Sequence, residues 1–199
     1  MKKKIITSCL VVALLVLGIA GASLAYFTDT DAKDNTFTVG NVNIELTEPS
    51  WTAPETAAPG VAYAKDPTVT NIGANEAYVR VDVTVTDWEA FKTAAAAHNI
   101  TDLSTIFAGH DAAKWTRAAI KVDTTADTAT YQYYYNTKLA KNETTGALFT
   151  SVTIPAAFTS AEMEKIAGTD GAFSINIQAH AIQADGFDTV QAAFANYAN

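Results

Sequence analysis

Residues 76–86 read EAYVRVDVTVT, and the alternation in this run decides the fold class. Val79, Val81, Val83 and Val85 fall on one side, while Arg80, Asp82 and Thr84 fall on the other. A two-residue period carried by β-branched side chains is the signature of a half-buried sheet strand. Immediately after it the period changes. In TDWEAFKTAAAAH, Trp88, Phe91 and Ala95 share one helical face, and Thr86 or Asp87 is placed to cap it.

Working outward in both directions, period two returns. VAYAKDPTVTNIG reads as a strand broken near Pro67, and the proline-rich Glu48–Gly60 segment reads as a loop. TFTVGNVNIEL alternates Phe37 and Val39, then Val42, Ile44 and Leu46, with Gly40-Asn41 as a bulge or turn. Strands are expected at Ala118–Val122, Thr128–Tyr135, Leu148–Ile154 and Ala172–Ile182, the last with Phe173, Ile175 and Ile177 inward. A short helix at Ser160–Ala167 is announced by the Thr159/Glu162 capping box and ended by Gly168. Val190, Phe194 and Tyr197 form the stripe of a final short helix. Seven to nine strands with helices only as insertions, and no βαβ rhythm, predict an all-β, antiparallel β-sandwich of jelly-roll or Greek-key type.

The chain has 199 residues, three histidines, one cysteine (Cys9) and a net charge of −8. Its first 25 residues carry Lys2, Lys3 and Lys4 and no acid. Leu10–Ala20 is continuously apolar, and Ser23-Leu24-Ala25 supplies small residues at the −3 and −1 positions. This reads as an export signal over residues 1–25, cut between Ala25 and Tyr26. The rival reading is a transmembrane anchor over Ile5–Ala25, which just reaches across a bilayer core of about 30 Å. Cutting leaves residues 26–199 as a single domain with ten basic and 21 acidic residues, a net charge of −11. So acidic a body repels phosphate backbones and argues against nucleic-acid binding. Cys9 leaves with the signal, so the domain must be held by packing without a disulfide. The C-terminal ANYAN has neither a sortase motif nor an oily tail, which disfavours wall attachment.

Chemistry-bearing motifs are sparse. His98, His110 and His180 form no H-E-x-x-H pair and share no chelating helical spacing. His98 suits the negative end of its helix, His110 reads as a solvated loop residue, and His180 lies on a polar strand face with Asn176 and Gln178. A metal held by His180 and an acid is the less favoured alternative. No nucleophile elbow and no phosphate-binding glycine loop occurs. Tyr131, Tyr133, Tyr134 and Tyr135 read as strand residues packing in the sheet, with a sugar-stacking platform as the alternative. Asp185-Gly186-Phe187-Asp188 reads as a turn that caps the final helix. No catalytic residue, metal set or cofactor is nominated.

An Ala-aromatic-Phe-x-Asp step at the cut is carried by Ala25, Tyr26, Phe27 and Asp29. Asn35, Phe37, Gly40, Val42 and Ile44 follow at short intervals. Together these resemble the TasA/camelysin family. VTNIGANEAYVRVDVTV resembles the family's Asn-x-Gly turn and central strand, YYYNTKLAKNETTGALFTSVTIP its long hairpin, and INIQAHAIQADGF its last strand. The resemblance implies processing by a SipW-type signal peptidase and a secreted jelly-roll domain. It further implies assembly head to tail into extracellular fibres of a bacterial biofilm matrix, possible co-assembly with other matrix proteins included. In such fibres the freed N-terminal segment adds as a strand to the next subunit, which names residues 26–40 as donor and Tyr26, Phe27, Phe37 and Val39 as its side chains. The competing reading makes residues 26–46 the first strand of their own sandwich. The camelysin branch implies a metal-dependent protease as the alternative function, and a monomeric surface adhesin is a third.

Overall fold

The computed structural model describes residues 41–54, 56–167 and 173–195, all within one unit, Gly40–Asn199. The signal segment, the cleavage pair Ala25–Tyr26, the donor residues Tyr26, Phe27, Phe37 and Val39, and also Gly168 and Tyr197, lie outside the described residues.

The described chain runs β1 (Ile44–Thr47), β2 (Ala62–Ala64), β3 (Thr68–Asn71), β4 (Ala77–Val85) and α1 (Trp88–Ala97). A 3₁₀ turn (Leu103–Ile106) follows, then β5 (Phe107–Ala108), β6 (Trp115–Arg117), β7 (Lys121–Asp123), β8 (Thr128–Tyr135), β9 (Thr144–Ala147) and β10 (Ser151–Thr153). It closes with α2 (Ser160–Ile166), β11 (Ile175–Gln183) and α3 (Val190–Phe194). Every strand pairing is antiparallel. One sheet has the order β11-β4-β8-β6, with β7 also on β8; two three-stranded sheets have the orders β1-β3-β9 and β2-β10-β5. The fold is an antiparallel β-sandwich.

The valines of β4 explain the arrangement. Val79, Val81, Val83 and Val85 are fully buried, and Tyr131 and Tyr133 of β8 lie beside them on the same face. Val69, Phe107 and Val152 of the two smaller sheets, with Leu148 and Phe149 from the β9–β10 link, close the core. Burying each such side chain is worth roughly 1.5–3 kcal/mol, enough to hold the domain without a disulfide. The tyrosines are therefore core residues, with Tyr131 in edge-to-face contact with both Trp88 and Phe107.

Four local expectations are corrected. β4 is not half-buried: Arg80 and Asp82 on its polar face are also buried, and the Phe194 ring of α3 lies 5.1 Å from the Arg80 guanidinium. Neither Thr86 nor Asp87 caps α1; Asp87 adopts a left-handed backbone, and Asp127 from across the sheet accepts from the Trp88 and Glu89 N–H groups. Thr189, not the Asp185–Asp188 turn, caps α3 by accepting from Ala192. Eleven strands form among the described residues because the expected Ala118–Val122 and Leu148–Ile154 strands are shorter and shifted, with β6, β7 and β9 filling the remainder. The capping box at Thr159 and Glu162 forms as expected.

Candidate functional site

Strand β11 is the long edge of the five-stranded sheet. It pairs with β4 over nine residues, from Ile175↔Val85 to Gln183↔Ala77, and among the described residues nothing pairs on its other side. Which backbone groups face outward follows from the two ends of the ladder. Thr86 N–H donates to Ser174 O, and Ala184 N–H donates to Glu76 O. Hydrogen-bonded pairs in an antiparallel ladder recur every second residue, so Asn176, Gln178, His180 and Ile182 spend their N–H and C=O groups on β4. Those of Ile175, Ile177, Ala179, Ala181 and Gln183 point to the open edge. The same five side chains face the inner side of the sheet, where Ile175, Ile177 and Ala179 pack on the core but are only half-covered. Among the described residues, with β1 near β11 but not hydrogen-bonded to it, the edge thus offers a row of hydrogen-bonding groups above an incompletely covered apolar strip, which is the template for an added strand.

The outer face of this edge is pinned by a buried polar cluster. Arg80 grips Asp82 through two contacts, Nε–Oδ1 at 2.9 Å and Nη2–Oδ2 at 3.0 Å, and Gln132 donates to both Asp82 oxygens at 3.2 Å. His180 of β11 lies opposite Arg80, with its Nε2 3.4 Å from Asp82 Oδ2. Burial pushes the His180 ring below the usual histidine range, against the pull of the Asp82 carboxylate. A one-residue slip of β11 would place His180 in the valine core, so this cluster fixes the register in which the edge is presented.

Residues 41–43, just upstream of β1, are held by a built clamp. In the Asn71-Ile72-Gly73 turn, Ile72 and Gly73 N–H both donate to Asn43 O, and Ala74 N–H donates to Asn41 O. Asn71 supports the turn by donating to Asn75 O and Leu139 O and accepting from Gly73 N–H. Ile44 and Leu46 then enter their own core through β1, which runs near β11. For residues 44–47 the reading as an own first strand therefore holds, and any donated segment ends upstream of Asn41.

The remaining candidates fall at separate places. His98 ends α1 as expected but also reaches Glu162 of α2 at 3.0 Å. His110 is not a solvated loop residue: its Nε2 is buried and its ring lies 5.2 Å from that of Tyr133. The family profile described as camelysin metallo-endopeptidase matches residues 1–105. The chain belongs to the TasA/camelysin family. No curated protein and no solved structure gives a significant match.

The family description carries a metal, and the described residues do not fit one. Among them no group of three or more His, Cys, Asp and Glu side chains is placed to hold an ion. The carboxylate facing His180 is already engaged by Arg80, whose charge repels a cation. Among the described residues no helix is long and apolar enough to cross a membrane. Sequence reasoning missed the β11 edge, because pairing partners leave no mark in one strand's own alternation.

Proposed function

We propose that this member of the TasA/camelysin family is a secreted structural protein of a bacterial biofilm matrix. A SipW-type peptidase frees the N-terminal segment at Tyr26, and that segment adds as a strand to β11 of the next subunit. The observation that carries this reading is the one-sided pairing of β11 among the described residues, with five residues directing N–H and C=O groups outward above half-covered Ile175 and Ile177. Residues 26–40 span up to about 50 Å when extended, more than a nine-residue strand needs. Each added backbone hydrogen bond contributes about 1 kcal/mol net, and Phe and Val side chains on the incoming strand cover the apolar strip. A head-to-tail contact of this kind does not close on itself, so it propagates as a filament.

The test compares residues 26–199, the same chain lacking residues 26–35, and Ala179→Pro, by electron microscopy. Ala179→Pro removes one outward N–H and leaves the β4 ladder intact. Fibres from the first and monomers from the other two are expected. Fibres from all three would overturn strand addition at β11. The family's protease description is checked on the same material, where chelator-sensitive peptide cleavage would favour it.

A further inference from the structure

At the opposite side of the same sheet, β6, β8 and the 3₁₀ turn enclose a cleft of about 570 Å³. Trp115 and Arg117 of β6 lie across from Tyr135 and Tyr133 of β8, so both point to the inner face where the sheet ends. Phe107, Trp115 and Tyr133 form its apolar walls, and Ser104, His110 and Arg117 supply polar groups. Two polar atoms there are buried without a hydrogen-bond partner, Trp115 Nε1 and His110 Nε2. Trp115 itself is 1% exposed. Buried polar atoms are nearly always paired, so two together at one cleft point to a ligand.

The lining chemistry narrows what that ligand is. Among the described residues no carboxylate is part of the cleft wall, whereas Arg117 brings a permanent charge with several N–H donors. Asp102 stands at the rim, its Oδ1 accepting from Ser104 N–H and Oγ–H and lying 3.6 Å from Arg117, too long for a tight fork. An indole N–H can only donate, so Trp115 also calls for an acceptor. Burial and the Arg117 charge hold His110 below the usual histidine range, leaving its ring neutral at pH 7. In either tautomer, a hydroxyl satisfies its Nε2, since a hydroxyl both donates and accepts.

We infer that this cleft binds a hexuronate, a six-membered sugar ring bearing a carboxylate. The carboxylate pairs with the Arg117 guanidinium, ring oxygens meet His110 Nε2 and Trp115 Nε1, and the ring rests along the wall that Phe107, Trp115 and Tyr133 form. The volume falls in the range of small-molecule sites and accommodates one sugar with part of a neighbour. The site is independent of strand addition at β11.

The test is ligand-observed NMR and titration calorimetry of the purified protein with glucuronate and galacturonate, against glucose and benzoate. A uronate should bind, glucose about tenfold or more weakly for want of the charge-assisted pair, and benzoate weakly for want of hydroxyls. Arg117→Met, at an exposed position, should weaken uronate binding about tenfold with an unchanged melting temperature. Trp115→Phe keeps a ring and removes the N–H, and should weaken it as well. Ala179→Pro should bind as the unaltered protein does, which separates this result from failure of fibre assembly. A short oligouronate that binds more tightly than the monomer would assign the ligand to a polysaccharide, and equal affinity would assign it to the free sugar. Equal affinity for glucose and glucuronate, or no saturable binding of any uronate, would overturn the inference.

Discussion

Gly73 shows how much one absent methyl group can decide. A Cβ at this position would sit 2.6 Å from Asn41 O and 2.7 Å from Asn43 N, both backbone atoms that cannot swing aside. A glycine at this turn therefore lets the backbone of residues 41–43 pass close against it. Gly73→Ala should lower stability by about 1–3 kcal/mol, read as an earlier thermal melt. An unchanged melt would mean that residues 41–43 are not held there. Glu162 supplies a pH dependence. Hydrogen bonding to Thr159 first, and His98 second, lowers its carboxyl to about 2 from a usual value of 4.5. Being depressed, this group contributes stability that is complete above pH 4.5 and lost as pH falls toward 2. Acid titration of the melting temperature should show that loss, and Glu162→Gln should flatten it; a variant with the same acid slope would contradict the assignment.

At the scale of elements, β11 and its partner β4 carry the argument. Gln178 gives its N–H to β4 and Ala179 gives its own to the open edge, one residue apart. Gln178→Pro should therefore cost about 3 kcal/mol or more and unfold a marginal domain, whereas Ala179→Pro should melt close to the unaltered protein. Circular dichroism on both variants checks the phase of the ladder, and the reverse ranking would show it was assigned one residue out. β4, β8 and the Thr159/Glu162 helix were legible from sequence because each carries its signal locally, as period or as a cap three residues away. The rest depended on contacts distant in sequence. Asp127 caps α1 from 38 residues beyond Glu89, so Asp87 could only look like the cap. Arg80 and Asp82 alternate as a solvent face does, and only the folded α3 and Gln132 of β8 show them engaged. The cleft was invisible for the same reason: His110, Trp115 and Tyr133 share no spacing that marks a site, and the unsatisfied indole N–H is a property of packing.

For the whole molecule, charge and topology set how copies meet. Residues 26–199 carry −11, so like subunits repel before any strand can be exchanged. Raising salt from about 10 mM to 150 mM shortens the screening length from roughly 30 Å to 8 Å. Assembly followed by light scattering should accordingly speed up over that range; slowing would mean that attraction between charges, rather than strand addition, drives association. The strand order β11-β4-β8-β6 puts two strands between the open edge and the strand that walls the cleft. Occupying the first leaves the second uncovered. A filament built through β11 would then display one cleft per protomer at regular intervals, and a long uronate chain could grip many weak pockets at once. Avidity, rather than any single tight contact, would bind such a polymer to its scaffold.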